Sequence, residues 1–396
     1  MTEWIECTLD KLGEIVGGAT PSTKCEDYYG GSIPWITPKD LSSFKGRYIT
    51  SGERNITEKG LASCSAQMMP KDAVLFTSRA PIGYVAIASQ SVCTNQGFKS
   101  IVVNEKADPL FVYYLLKYNK DAIEAMGSGT TFKEVSGKTM RAVKVRIPLD
   151  VSYQKRIAAV LDSLDTKIEN NERINDNLEQ QAQAIYHERF ETVSPNDLPS
   201  EWRIVTLGEV ATISNKSFNP LKEPEILLEH YSIPAFDEAR FPVFELSTSI
   251  KSNKFIIDAS CFMISKLNPT TKRVWKPYCL TGNAVCSTEF IVYKAKDKTI
   301  TDFLYSVIDS NSFSDFMCSH VTGSTGSRQR TTPSDTLSYE LILPSEDELA
   351  EFQSLVSPMY AQIRINAIEN DRLKRLRDSL LPKLMSGEID VSAVQF

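Results

Sequence analysis

The sequence has no run of about 18 apolar residues, the length a helix needs to cross a bilayer, so nothing in it reads as a membrane span. Its opening, Met1-Thr2-Glu3-Trp4-Ile5-Glu6, is acidic and lacks an apolar segment. That excludes a secretory signal and gives the cytoplasm as the expected compartment. Histidine is scarce: His187, His230 and His320 are all there is, and of these only His320 lies near one of the eight cysteines, Cys318. No cysteines form a Cys-x-x-Cys pair, which argues against a zinc site. In a reducing compartment the cysteines read as small apolar residues rather than a disulfide framework.

Catalytic patterns are also missing. Gly137-Lys138-Thr139 would need a glycine five residues before Gly137 to complete a phosphate-binding loop, and Phe132 stands there. Asn268-Pro269-Thr270-Thr271 lacks the second proline and the aromatic that a base-flipping adenine methyltransferase would use. Asp165 and Lys167 have the spacing of a nuclease acid–lysine pair, but they fall in a helical stretch with no partner acid and read as a solvated helix face. No Ser/His/Asp order and no Cys/His pair stands out. The expectation is a chain that catalyses nothing and holds no cofactor or metal.

An internal repeat with a period near 196 is present. Leu12-Gly13-Glu14-Ile15 recurs as Leu207-Gly208-Glu209-Val210, each shortly after a tryptophan, Trp4 or Trp202. Gly127-Ser128 recurs as Gly323-Ser324, and each lies the same distance before a closing proline, Pro148 or Pro344. Short β-branched and aromatic runs such as Ala73–Phe76, Ser100–Val103 and Phe290–Tyr293 give strands. Apolar spacing of three and four predicts helices over 109–126 and 300–318.

After each head comes a heptad seam. The first is Ile157, Leu161, Leu164, Ile168, Asn171, Asn175, Leu178, Ala182, Ile185. The second is Phe352, Val356, Met359, Ile363, Asn366, Asn370, Leu373, Arg377, Leu380. They align at an offset of 195, and the asparagines coincide, Asn171 with Asn366 and Asn175 with Asn370. Asparagine at such positions costs stability and fixes register. Ser345-Glu346-Asp347-Glu348 reads as a capping box opening the second helix, and Pro358 predicts a kink or restart. The fold class read from this is α+β: two repeated strand-rich α/β domains separated by two long helices that form an antiparallel coiled coil with pseudo-two-fold symmetry. The boundaries are 1–150 for the first head, 151–195 for the central spacer helix, 196–344 for the second head, and 345–396 for the C-terminal helix and tail. Each helix, at about 33 residues, spans about 50 Å at 1.5 Å per residue.

The chain carries 44 basic and 50 acidic side chains, net −6, an unpromising total for a DNA binder. The deficit is unevenly placed: +2 over 1–150, −3 over 151–195, −2 over 196–344 and −3 over 345–396. Within the heads basic residues cluster, as in Lys133, Lys138, Arg141, Lys144 and Arg146, or Lys266, Lys272, Arg273 and Lys276. Gly323 to Arg330 reads Gly-Ser-Thr-Gly-Ser-Arg-Gln-Arg. Such loops suit duplex DNA: amides and hydroxyls take phosphates, arginine reads guanine, and glutamine or asparagine reads adenine. The weak net charge predicts modest affinity without a basic partner.

At this point the sequence closely resembles the specificity (S) subunit of type I restriction–modification systems, over essentially its whole length. The resemblance rests on Trp4…Leu12-Gly13-Glu14-Ile15, Ile33-Pro34-Trp35-Ile36 with Lys39-Asp40-Leu41, and Asp72 through Gly83. It rests further on Thr94-Asn95-Gln96-Gly97-Phe98, Gly129-Thr130-Thr131, Gln154-Lys155-Arg156-Ile157 and the tail Leu384-Met385-Ser386-Gly387-Glu388-Ile389. It implies two target-recognition domains, each reading one half of a split site on double-stranded DNA. The helices would act as spacer and dock two methyltransferase (M) subunits, with restriction (R) subunits joining the full complex. S-adenosylmethionine would sit on M, and ATP with Mg²⁺ on R.

Loops and resemblance together give a DNA-binding set in the first head of Lys39, Thr77, Ser78, Arg79, Asn95, Gln96, Lys99, Ser128, Thr130, Thr131, Lys133 and Lys138. In the second head it is Lys266, Asn268, Thr270, Lys272, Arg273, Ser324, Arg328, Gln329 and Arg330. The coiled-coil register set is Leu161, Leu164, Ile168, Asn171, Asn175, Leu178, Val356, Met359, Ile363, Asn366, Asn370 and Leu373. The second half departs from the first: Ile264-Ser265-Lys266 stands where Phe76-Thr77-Ser78 stood, and Ser287-Thr288-Glu289-Phe290 replaces the Asn-Gln-Gly segment, so the heads are expected to read different sequences. Two other classes stay open: a self-sufficient restriction or modification enzyme, and a protein-binding scaffold that ignores DNA.

Overall fold

The computed structural model describes residues 3–79, 81–129, 133–322 and 329–394. These fall into two compact units, one made of residues 1–169 and 372–396, the other of 170–371. This division differs from the boundaries drawn on the sequence, because each unit takes a share of both long helices. Residues of both long helices are built into the head cores as well as into the seam.

In unit 1 the strand Trp4–Thr8 pairs antiparallel with Lys144–Pro148, Trp4 opposite Pro148. Four strands then run in the order Gly13–Gly17, Lys99–Val103, Val74–Ser78, Ile82–Ala88, with Tyr48–Ile49 at the edge. Tyr29–Ile36 centres a second sheet, taking Arg54–Ile56 antiparallel and Cys93–Thr94 parallel. The strand Val74–Ser78 is buried along its whole length, which is why Val74, Leu75 and Phe76 are successive apolar residues rather than an alternating pattern. Its core also takes Phe111 and Tyr114 from the helix Pro109–Tyr118, Ile157 and Leu161 from the first long helix, and Leu384 and Met385 from the second. Burying one such aromatic ring contributes about 2–3 kcal/mol.

The C-terminal tail belongs to this core. Tyr153 Oη donates to Asp390 Oδ1 at 2.9 Å and accepts from Val391 N–H at 3.2 Å, and Val391 is buried. Gly387 ends the second long helix at φ +78°, and a Cβ there would lie 2.9 Å from the Trp4 ring, so glycine is required on both counts.

Unit 2 repeats the plan. Arg203–Thr206 pairs with Glu340–Leu343, and Ala211–Ile213, Phe290–Ala295, Cys261–Ser265 and Val274–Trp275 follow in the corresponding order. Leu227–Tyr231 runs parallel to Ala284–Ser287, as Tyr29–Ile36 does to Cys93–Thr94. Here, however, the second sheet has five strands. Tyr186, Phe190, Trp202, Phe303 and Phe352 pack with ring centroids 5.2–6.3 Å apart, rooting both long helices in this core.

The long helices are Val151–Tyr186 and Glu346–Ser386. Within unit 2, Asn171 Nδ2 donates to Asn370 Oδ1 at 2.9 Å and to Glu369 Oε2 at 2.7 Å, and Asn366 Nδ2 donates to Asn175 Oδ1 at 2.8 Å. Numbers rise on one helix as they fall on the other, so the pair is antiparallel. Of the register residues, Leu161, Ile168, Asn171, Val356, Asn366 and Asn370 are buried. Leu164, Asn175, Leu178, Met359, Ile363 and Leu373 are half-buried.

Three expectations need correction. The second helix continues through Pro358 without restarting, because the flanking Phe352, Val356 and Tyr360 are held in the unit 2 core and outweigh one lost hydrogen bond. The helices over 109–126 and 300–318 are each broken in two, at Asn119 and at Asp309-Ser310, where Asn119 Nδ2 bonds the Leu115 carbonyl and Ser310 caps the following turn. Asp165 is not on a solvated face: it is 6% exposed, accepts from Tyr114 Oη at 2.8 Å and from Arg377 Nη1 at 2.7 Å. The cysteines are free thiols; burial pushes Cys261 up to about 11 and Cys93 to about 12, which leaves both protonated and unreactive near neutral pH.

Candidate nucleic-acid interface

In unit 1 three segments meet at one sheet edge. The strand ending at Ser78 is joined to the turn 95–98 by Ser78 N–H donating to the Gly97 carbonyl at 2.7 Å. Val135 N–H donates to the Ser78 carbonyl at 2.9 Å, and Ser128 and Glu134 exchange backbone hydrogen bonds at 3.0 and 2.9 Å, closing a hairpin beside Arg79. The turn itself is shaped by Asn95 Oδ1, which accepts from Gly97 N–H at 2.8 Å. The chain at Gly18 crosses beneath it so closely that a Cβ would lie 2.1 Å from the Asn95 carbonyl.

Unit 2 uses the same frame. Lys266 N–H donates to the Glu289 carbonyl at 2.9 Å, and Thr331 N–H to the Lys266 carbonyl at 3.1 Å. Asn268 N–H donates to the Gln329 carbonyl at 2.9 Å, and Val321-Thr322 pairs with Arg330-Thr331. Asn268 sits at φ +48°, a left-handed turn that asparagine tolerates, with Oδ1 buried and no hydrogen-bond partner among the described residues.

The electrostatics differ between the two. In unit 1, Arg79 and Lys99 share one carboxylate, Glu134, at 3.8 and 3.6 Å, leaving a positive surplus. Lys133 and Lys138 are exposed beside it, and Lys39 holds an exposed pair with Glu53 at 2.7 Å that a phosphate could displace. In unit 2 three of the cations are matched. Arg330 forks onto Glu289 at 3.0 and 3.1 Å, and Arg273 onto Asp237 at 2.6 and 2.9 Å. Lys272 lies 3.2 Å from Asp309; burial raises that carboxyl above its usual range and the lysine partly offsets the rise.

The proposed residues therefore divide. Arg79, Asn95, Gln96, Lys99, Ser128, Lys133 and Lys138 come together on the unit 1 edge, with Lys39 close by, since the ring of Pro38 packs against Gly97. Lys266, Asn268, Thr270, Gln329 and Arg330 come together on unit 2. Thr77 and Ser78 are fully buried, their hydroxyls donating to the Pro81 and Gly97 carbonyls, so they shape the edge and do not face solvent. Lys272 and Arg273 are held by acids from other elements. Thr130, Thr131, Ser324 and Arg328 lie outside the described residues. Reading the sequence missed Thr20, whose hydroxyl bonds Gln96 Oε1 from across the turn. Nothing local to Thr20 marks it, because its partner is 76 residues away.

A family model for the type I restriction modification DNA specificity domain matches residues 1–180. The chain is 32% identical to the type I restriction enzyme MjaIX specificity subunit of Methanocaldococcus jannaschii, over 98% of this chain and 94% of that one. It is 29% identical to the EcoR124I/EcoR124II specificity subunit of Escherichia coli over 40% of each. The crystal structure of a type I restriction–modification S subunit from M. genitalium has the same fold, with a TM-score of 0.60 at 16% identity, covering 97% of this chain and 96% of that one.

Proposed function

Because the chain belongs to the family of type I restriction-enzyme specificity subunits, a non-catalytic recognition subunit, we propose that each unit reads one half of a bipartite site on double-stranded DNA and that the paired helices set the gap between the halves. The observation that carries this reading is the shared backbone frame. In both units the same three segments are brought to the same sheet edge by equivalent hydrogen bonds, while the side chains mounted on them differ. One scaffold bearing two different sets of donors is what two unlike half-sites require.

The division of charge supports separate roles. The unit 1 edge offers unneutralised cations for phosphates, whereas the long helices are acidic and suit protein partners. In this reading two M subunits dock on the helices and add basic surface around the DNA, and R subunits join them. S-adenosylmethionine and ATP with Mg²⁺ then belong to those partners, in the cytoplasm where host DNA lies. This chain supplies position: backbone amides and lysines fix its setting on the phosphates, and Gln96 and the side-chain amide nitrogen of Asn268 present hydrogen-bonding groups to base edges, whereas Arg330 reaches a base only on leaving Glu289.

The test is to express the chain with its M partner in a host lacking other methyltransferases and to sequence the modified bases. The expected result is a split motif with two unlike halves and a fixed gap. Lengthening both long helices by one turn should change the gap and leave both halves as they were. A continuous motif, or altered halves with an unaltered gap, would refute the proposal.

A further inference from the structure

Arg47 and Arg240 occupy comparable, though not aligned, places in the repeat. Each follows the short helix after the parallel strand pair: Pro38–Ser42 after Tyr29–Ile36, and Ile233–Ala239 after Leu227–Tyr231. The preceding residues, Thr37 and Ser232, cap those helices through their side chains. Each arginine then leaves its head and grips the first long helix.

Arg47 has a side chain only 7% exposed. Its Nη1 donates to the Asp162 carbonyl at 2.9 Å and lies 2.8 Å from Asp162 Oδ1. Its Nη2 donates to Thr166 Oγ1 at 2.9 Å and Glu169 Oε2 at 3.1 Å, so the guanidinium spans two helical turns. In unit 2, Arg240 Nη1 donates to both carboxylate oxygens of Glu179, Oε2 at 2.6 Å. Its Nη2 donates to the Val274 carbonyl at 3.0 Å and Tyr305 Oη at 3.2 Å.

Apolar packing alone is not directional and tolerates sliding. A guanidinium held by carboxylates has a restricted geometry, and rotation strands charge that is almost wholly desolvated at Arg47 and partly so at Arg240, whose side chain is 31% exposed. The partner acids confirm that the grip, not a particular helix pairing, is what recurs. The repeat places Arg364 where the first helix has Glu169, and Arg364 donates instead to the Tyr278 carbonyl at 3.2 Å. The acid for Arg240 comes from Glu179 on the first helix.

We infer that Arg47 and Arg240 are positioning residues that fix the rotational setting of each head on the helix, and thereby hold the bipartite site to a single gap length. The inference rests on the gap-setting function proposed above. Adding one base pair to a gap moves a half-site by about 3.4 Å and turns it by roughly 35°, from the 10–10.5 base pairs in each 34–36 Å turn. A head locked to its helix accepts one gap; a head free to swivel accepts the neighbouring ones.

The full chain with its M partner is given a library in which the two halves of its own motif are separated by every gap from two shorter to two longer, and methylation at each is counted. With Arg240→Met, methylation at the adjacent gaps relative to the native gap should rise about tenfold or more, with the half-site sequences unchanged. Arg47→Met should do the same. Glu179→Ala, which leaves the unit 2 core intact, should reproduce the Arg240→Met profile even where that variant fails to assemble. Arg240→Lys, which keeps the charge beside Glu179 and the Val274 carbonyl, should recover part of the preference for the native gap. A general loss of stability lowers methylation at all gaps in proportion; that outcome, or an unchanged profile in an active Glu179→Ala complex, overturns the inference. A wild-type chain with no split motif, or indifferent to gap, overturns the functional reading instead.

Discussion

Asp165 is the residue whose replacement most directly tests how unit 1 holds its helices. Its carboxylate joins three elements: the helix Pro109–Tyr118 through Tyr114, its own long helix, and the second long helix through Arg377. Burial, and then the adjacent Asp165 charge, push the Tyr114 phenol far above its usual value, so it is a donor at any accessible pH. Removing one partner of a buried ion pair costs about 3–5 kcal/mol. Arg377 is 20% exposed and keeps Asp378 at 2.8 Å, which brings the expected cost of Asp165→Asn to about 2–3 kcal/mol. Tyr114→Phe should cost about 1.5 kcal/mol, the value of one hydrogen bond to a charged acceptor. The two should couple by about 1 kcal/mol in a double-mutant cycle, because asparagine is a weaker acceptor than carboxylate. Asp165→Leu with Arg377→Leu removes both charges and should be more stable than Asp165→Asn alone. The assay is urea denaturation read by hydrogen exchange at the amides of 109–118, which reports unit 1 separately from unit 2. A cost below about 0.5 kcal/mol for Asp165→Asn, or a double leucine variant less stable than the single asparagine one, would show that the network is not energetically buried.

Two further outcomes are expected. Burial lowers the His230 pKa from its ordinary 6.5, with partial compensation from Glu245 at 2.7 Å, so the ring is neutral in the folded state. The unfolded chain then binds the extra proton, and the stability of unit 2 should be level above about pH 6.5 and fall as pH drops below it; thermal melts at neutral and mildly acidic pH check this, and a His230→Gln variant should flatten the profile. Replacing Asn171 and Asn370 together with leucine should raise the melting temperature by a few degrees, since polar pairs in a seam trade stability for register; a lower melting temperature would contradict that account of the pair.

The seam was legible because a heptad is a local pattern: each position is fixed by residues three or four away, and the coincident asparagines needed only the repeat to be noticed. The loop composition of the interface was legible for the same reason. What remained hidden depends on partners distant in the chain. Thr77 and Ser78 look like exposed hydroxyls until Gly97 and Pro81 are folded over them. Lys272 and Arg273 look free until Asp309 and Asp237 arrive from other helices. Asp165 falls on the polar side of its own helix, and only Tyr114 and Arg377 make that side an interior. Periodicity describes one element against an unspecified neighbour and cannot say when a polar face has a neighbour too.

Unit 2 is a single uninterrupted stretch, 170–371, whereas unit 1 draws Leu384, Met385 and Val391 into a core whose other members begin at Leu9. The chain of unit 2 is therefore complete at residue 371, whereas that of unit 1 is complete only once those late residues are in place. A chain stopped before residue 384 would keep every member of the unit 2 core and leave the unit 1 core with an open flank.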